Sequence, residues 1–217
     1  ELSDAVQDID MILLAVKPQN LEDVSNSLNE VIPEPPVDTE ITLVSILAGC
    51  NTKLLIDSFP FCKHVVRTMP NTPASVREAI TIWYYQLSGN SKKKIPSALK
   101  DRVKSLFSSF GEEVEVTNEN YLDMGTAISG SGPAYIFLMI EAIVDAGVHL
   151  GFPRKVAEKL VISTIRGSAS YAKSSEGLLT ELRHQVTSPA GTTASALYEL
   201  EKGNFRTVIS DAVWAAY

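Results

Sequence analysis

Apolar residues follow two different rhythms along this chain, and the change comes near Thr117–Asn120. Residues 9–16, IDMILLAV, are a continuous apolar run broken only by Asp10. Such a run predicts a strand buried on both faces, as in a parallel sheet. Lys17-Pro18 ends it, and Leu21, Val24, Leu28 and Val31 then recur at helical spacing over 20–32. PEPPVD (33–38) reads as a loop. ITLVSIL (41–47) predicts a second buried strand closed by Ala48-Gly49, and NTKLLIDSF (51–59) a short helix capped by Asn51 or Thr52. HVVRTM (64–69) is a third strand, PNTPASVREA (70–79) a loop, AITIWYY (79–85) a strand, 97–109 an amphipathic helix and EEVEVT (112–117) a last strand. Strand and helix alternate, which predicts a doubly wound α/β sheet.

From residue 119 onward the period is helical throughout, over roughly 119–128, 133–150, 153–174, 176–186 and 191–216. The expected organisation is therefore an α/β domain over 1–117 and an all-α domain over 118–217. A dinucleotide-binding half-sheet needs a glycine-rich turn after its first strand. No G-x-G-x-x-G precedes residue 120, and GSGPAY (130–135) follows no strand. The opening ELSDAVQDID reads as a helix end running into a buried strand. The expectation is that the first domain is incomplete at its N-terminus.

Composition narrows the function classes. Of 217 residues, 45% are hydrophobic and 21% charged, with a net charge of −7. An acidic chain whose one basic run is Lys92-Lys93-Lys94 argues against nucleic acid as a partner. The two cysteines form no CxxC, and the three histidines have no metal-ligand spacing, so no metal is expected. The most apolar helix, 133–150, carries Glu141 and Asp145, so no membrane span is expected and a reducing cytoplasm is the default. That helix is apolar at nearly every position from Tyr135 to Leu150, more than a five-helix domain can cover. A second subunit is the expected cover.

Candidate chemistry falls in two places. Loops at strand C-termini are where such a sheet binds its ligand: Ala15-Val16-Lys17-Pro18, Ile46-Leu47-Ala48-Gly49 and Met69-Pro70-Asn71-Thr72-Pro73. Asn71 stands in a stiff loop, because both flanking prolines fix φ and restrict their predecessors. The second place is QVTSPAGTTASAL (185–197), an uncharged stretch of hydroxyls around Pro189-Ala190-Gly191. Pro189 breaks one helix, and Thr192 or Thr193 begins the next. Its first amides suit a carboxylate. Simple helix capping explains the composition equally well.

Four stretches, AVKP (15–18), RTMPNTP (67–73), SGSGPAY (129–135) and VTSPAGTT (186–193), together resemble the pyrroline-5-carboxylate reductase family in order and spacing. The resemblance covers essentially the whole chain. It implies a Rossmann domain followed by a helical domain that intertwines with a second subunit, in dimers often assembled into decamers. It implies reduction of L-Δ1-pyrroline-5-carboxylate to L-proline by NADPH or NADH. Ala15, Val16, Lys17, Pro18, Ile46, Leu47 and Ala48 match the family's cofactor-contacting strand ends. Asn71 and Gln185 match positions near the nicotinamide, and Glu176 one near the substrate. Val186, Ser188, Gly191, Thr192 and Thr193 match the loop for the substrate carboxylate and imine, with Thr193 expected to hydrogen-bond the imine nitrogen. Ala190 departs from the family, which more often has glycine there. Its methyl group requires a negative φ.

Two rival readings stand beside this one. One is another reductase of the same two-domain build, acting on a β-hydroxyacid or a larger imine; a catalytic lysine in the helical domain would favour a hydroxyacid dehydrogenase, but Lys155, Lys159, Lys173 and Lys202 lie in no glycine-rich setting. A non-catalytic dimerising fragment or paralogue is the other, favoured by the missing glycine loop.

Overall fold

The computed structural model describes residues 9–32, 40–89 and 94–217. The opening ELSDAVQD, the PEPPVD loop and Lys92-Lys93 lie outside the described residues. Five strands, β1 (Met11–Leu14), β2 (Thr42–Ser45), β3 (His64–Met69), β4 (Ala79–Leu87) and β5 (Gly111–Glu115), form one sheet in chain order. Between β1 and β2 runs α1 (Leu21–Val31), between β2 and β3 α2 (Thr52–Ser58), and between β4 and β5 α3 (Ser97–Ser108). The strands pair parallel except β3 with β4, which run antiparallel. The sheet is thus mixed. Each parallel step has a crossover helix, whereas residues 70–78 hold only a 3-10 turn, Thr72–Val76. A connection that short joins antiparallel neighbours.

Side-chain alternation places helices on both faces. Leu43 and Val65 pack with Leu21, Leu28, Leu55 and Phe59 of the α1–α2 side. Val44, Val66 and Trp83 face Leu99, Val103 and Phe107 from α3. All of β2 is buried, as its apolar run predicts. The same expectation fails for β1, where Leu13 is 50% exposed and only Leu14 is buried. Among the described residues β1 pairs with β2 alone, so an apolar run marks the strand but not its lateral neighbours.

The helical stretch holds α4 (Asn120–Gly125), a π turn (Thr126–Gly130), α5 (Gly132–His149), α6 (Arg154–Ser174), α7 (Leu179–Gln185), α8 (Thr192–Lys202) and α9 (Phe205–Ala216). The single helix expected over 191–216 is two, because Gly203 ends α8 and Asn204 turns the chain at φ +57°. Asparagine tolerates that left-handed conformation better than most residues. The chain forms two compact units, the first ending at Pro133 and the second running Ala134–Ala216. In the second, the core is small: Val144, Ala157 and Val161, with Ile140, Val148 and Ile165 against them. Phe137 and Leu138 of α5 are 63% and 67% exposed. The stretch Asn120–His149 is also long and apolar enough, by length and composition, to cross a membrane.

Candidate functional site

In the first unit, parallel pairing brings the ends of β1, β2 and β3 to one edge of the sheet, with Leu14 opposite Ser45 and Ser45 opposite Arg67. Three of the expected cofactor loops therefore sit side by side. Ala15, Lys17, Pro18 and Ala48 are exposed there, and Val16 and Ile46 are partly so. Leu47 differs: its side chain is 2% exposed and belongs to the core. Its N–H donates to Ser45 Oγ at 3.3 Å, so Leu47 shapes the loop from below. Gly49 turns the chain at φ +75°, with open space where a side chain would stand. Small side chains and exposed backbone suit an extended, phosphate-bearing ligand.

Asn71 is half-buried just past β3, and both ends of its amide are engaged. Its Oδ1 accepts the Ile80 N–H at 3.0 Å, and its Nδ2 donates to the Ser129 carbonyl at 3.2 Å. The stiff loop expected between the prolines is a 3-10 turn closed by Arg77 at φ +63°.

In the second unit, 186–191 link α7 to α8. Gly191 is the N-cap of α8, and no acceptor among the described residues engages the amides of Thr192, Thr193 and Ala194. These amides carry the positive end of an 11-residue helix. A Cβ on Gly191 would stand 2.4 Å from Ser188 Oγ, so the glycine makes room for that hydroxyl beside the helix end. Thr187 Oγ1 donates to Arg183 O at 2.6 Å, anchoring the loop to α7. Gln185 Oε1 accepts from Tyr171 Oη at 3.0 Å, and Glu176 is exposed in the loop between α6 and α7. Ala190 overturns its expectation, with φ at +59°. The loop holds a left-handed turn at a residue with a β-carbon, a strained arrangement of the kind found at functional sites.

Sequence reasoning missed the ion cluster at the end of β3. Arg67 donates to Glu119 Oε1 at 3.0 Å and to Asp123 Oδ1 at 2.7 Å. Glu119 also accepts the N–H and Oγ1 of Thr52, both at 2.7 Å. The available signal was an arginine inside an otherwise buried strand, which has to find carboxylates. The two cysteines are free, and burial raises both thiols, Cys62 to about 12, so neither is poised as a nucleophile.

Residues 119–217 match the family profile described as pyrroline-5-carboxylate reductase dimerisation. The chain is 43% identical over 209 residues to the pyrroline-5-carboxylate reductase of Synechocystis sp., spanning 96% of this chain and 73% of that one. Among solved structures, it is similar to the Coxiella burnetii pyrroline-5-carboxylate reductase, with a TM-score of 0.88 and 33% identity, over 100% of this chain and 76% of that one. It is also similar to the Plasmodium falciparum pyrroline carboxylate reductase with NADP bound, with a TM-score of 0.83 and 35% identity, over 99% and 77%.

Proposed function

The chain belongs to the pyrroline-5-carboxylate reductase family, and on that premise we propose that it reduces L-1-pyrroline-5-carboxylate to L-proline with NADPH or NADH, the last step of proline synthesis. The observation that carries this reading is the 43% identity to the Synechocystis enzyme, because it extends over 209 residues and so through both compact units.

The sheet edge fits a nicotinamide dinucleotide: exposed Ala15, Pro18 and Ala48 leave its backbone approachable, and Lys17 offers one cation for phosphate. Val16, Ile46 and the backbone of Leu47 complete that face, and the loop that carries Asn71 follows the neighbouring strand end. When bound, the reduced nicotinamide supplies the hydride.

The substrate has an anionic carboxylate beside a ring nitrogen that is cationic when protonated. The amides of Thr192, Thr193 and Ala194 hold the carboxylate, with the Ser188 hydroxyl assisting. A helix N-terminus attracts the anion through its unpaired N–H groups and its dipole. Neutral groups do so without repelling the adjacent iminium, as a lysine or arginine would. Thr193 Oγ1 hydrogen-bonds the ring nitrogen. Glu176, Val186 and Gly191 complete the pocket. An iminium accepts hydride readily, so the chain's task is to orient the ring.

Residues 119–217 are the dimerisation region of this family, and a homo-oligomer is the assembly read for this chain. A partner subunit covers the apolar surface of α5, and dimers assemble further into decamers. A cytoplasmic site of action accompanies the reading, supported by two buried free thiols. The test is loss of reduced-nicotinamide absorbance with pyrroline-5-carboxylate, NADPH and NADH being compared, alongside sedimentation at micromolar concentration. Proline formation in a dimer or larger assembly is expected. Absence of substrate-dependent oxidation with either nucleotide overturns the reading.

A further inference from the structure

Asn71, Ser129 and Pro133 come from separate stretches and share one hydrogen-bonding deficit. A residue at 133 would donate its N–H to the carbonyl four positions back, that of Ser129. Pro133, in the first turn of α5, has no N–H to give. The Ser129 carbonyl is instead met by Asn71 Nδ2, at 3.2 Å. Asn71 is itself fixed, since its Oδ1 accepts the first amide past Ala79 in β4, Ile80 N–H, at 3.0 Å.

The backbone around this contact is irregular. Ser131 N–H donates to the carbonyl of Thr126, five residues back, at 2.8 Å, which makes 126–130 a π turn. Such turns mark places where a helix has been distorted to serve a site. Two glycines bring the turn against the sheet. A Cβ on Gly125 would stand 2.9 Å from Ile82 Cδ1, and one on Gly130 3.0 Å from Met69 Cε. The turn thus lies over the end of β3, beside the loop that carries Asn71.

We propose that Asn71 is a positioning residue: its amide supplies the donor that Pro133 withholds and thereby sets the backbone of the Thr126–Gly130 turn beside the cofactor edge. Its effect on turnover rests on the reductase reading above, whereas its effect on the backbone does not.

The test is a double-mutant cycle of Asn71→Asp and Pro133→Ala in the whole chain, read by melting temperature and by steady-state kinetics. Aspartate keeps an oxygen for Ile80 N–H and puts a second oxygen where Ser129 O expects a donor. Alanine at 133 returns an N–H to that carbonyl. Asn71→Asp is expected to lower Tm, and Pro133→Ala to recover a large part of the loss in the double variant. Asn71→Asp is also expected to lower kcat about 10-fold while KM for NAD(P)H stays within about threefold, the pattern of misplacement rather than lost contact. Additive effects in the Tm cycle overturn the proposal. A raised KM for NAD(P)H with kcat intact also overturns it, by making Asn71 a ligand contact. Should Asn71→Asp not fold, Asn71→Ala runs through the same cycle with the same criteria. A wild-type chain that reduces no pyrroline-5-carboxylate removes the reductase reading, and the Tm cycle still decides the contact.

Discussion

Arg67 Nη1 stands 3.0 Å from Glu119 Oε1, and the arginine side chain is only 6% exposed while the glutamate is 24% exposed. A cation buried within β3 thereby holds Glu119, the residue at the N-cap of α4. Asp123, at 2.7 Å from Nη2, shares the charge.

Removing one partner of a buried pair leaves the rest uncompensated. Arg67→Ala is expected to lower the unfolding free energy by about 3 kcal/mol, measured in urea. Glu119 keeps its two donors from Thr52, which limits the damage on that side. A change indistinguishable from zero would mean that the cluster contributes nothing net.

Ala190 lies at φ +59°. Its β-carbon costs about 1–2 kcal/mol in that conformation, and glycine removes this while adding some unfolded-chain entropy. Ala190→Gly is expected to raise stability by about 0.5–1 kcal/mol. Thermal unfolding checks this, and a lower Tm contradicts it.

Thr81 Oγ1 is buried with no hydrogen-bond partner among the described residues, on the face of β4 shared with Trp83. Thr81→Val keeps the shape and deletes the orphaned hydroxyl. Stability is expected to hold or rise by about 1 kcal/mol in urea titration. A clear loss would reveal a partner for that hydroxyl.

Glu40 accepts from Lys63 and from His64 Nε2, the latter at 2.9 Å, and these bonds lower its carboxyl from the usual 4.5 to about 2. Because the folded value is the lower one, the contribution is fully present above pH 4.5 and is lost as pH falls toward about 2. Glu40→Gln is expected to flatten the stability–pH curve over that interval. An unchanged curve excludes Glu40 from the acid response.

Thr193 stands in the first turn of α8. Thr193→Ala is expected to lower kcat/KM about 10-fold or more, if one hydrogen bond in the transition state contributes about 1.5–3 kcal/mol. Unchanged kinetics remove Thr193 from the site.

The sequence by itself determined the element types, because burial leaves its period in the order of residues. HVVRTM is β3 from end to end, and Asn51 caps α2 by accepting Leu54 N–H at 2.8 Å. The stretches around residues 15–18, 67–73, 129–135 and 186–193 also carried the family resemblance, since turns and small residues are local signals. Tertiary structure alone decided the antiparallel direction of β4, the exposure of β1 and the sign of φ at Ala190. It also decided the partners of Arg67 and of Asn71. An arginine in a strand announces a need for carboxylates, but Glu119 and Asp123 lie 52 and 56 residues away in the chain. Pro133 announces a carbonyl without a donor, and only packing of the π turn on β3 and β4 brings Asn71 within reach. Local pattern encodes what each segment buries, whereas the groups that satisfy one another across the fold are fixed when the segments pack.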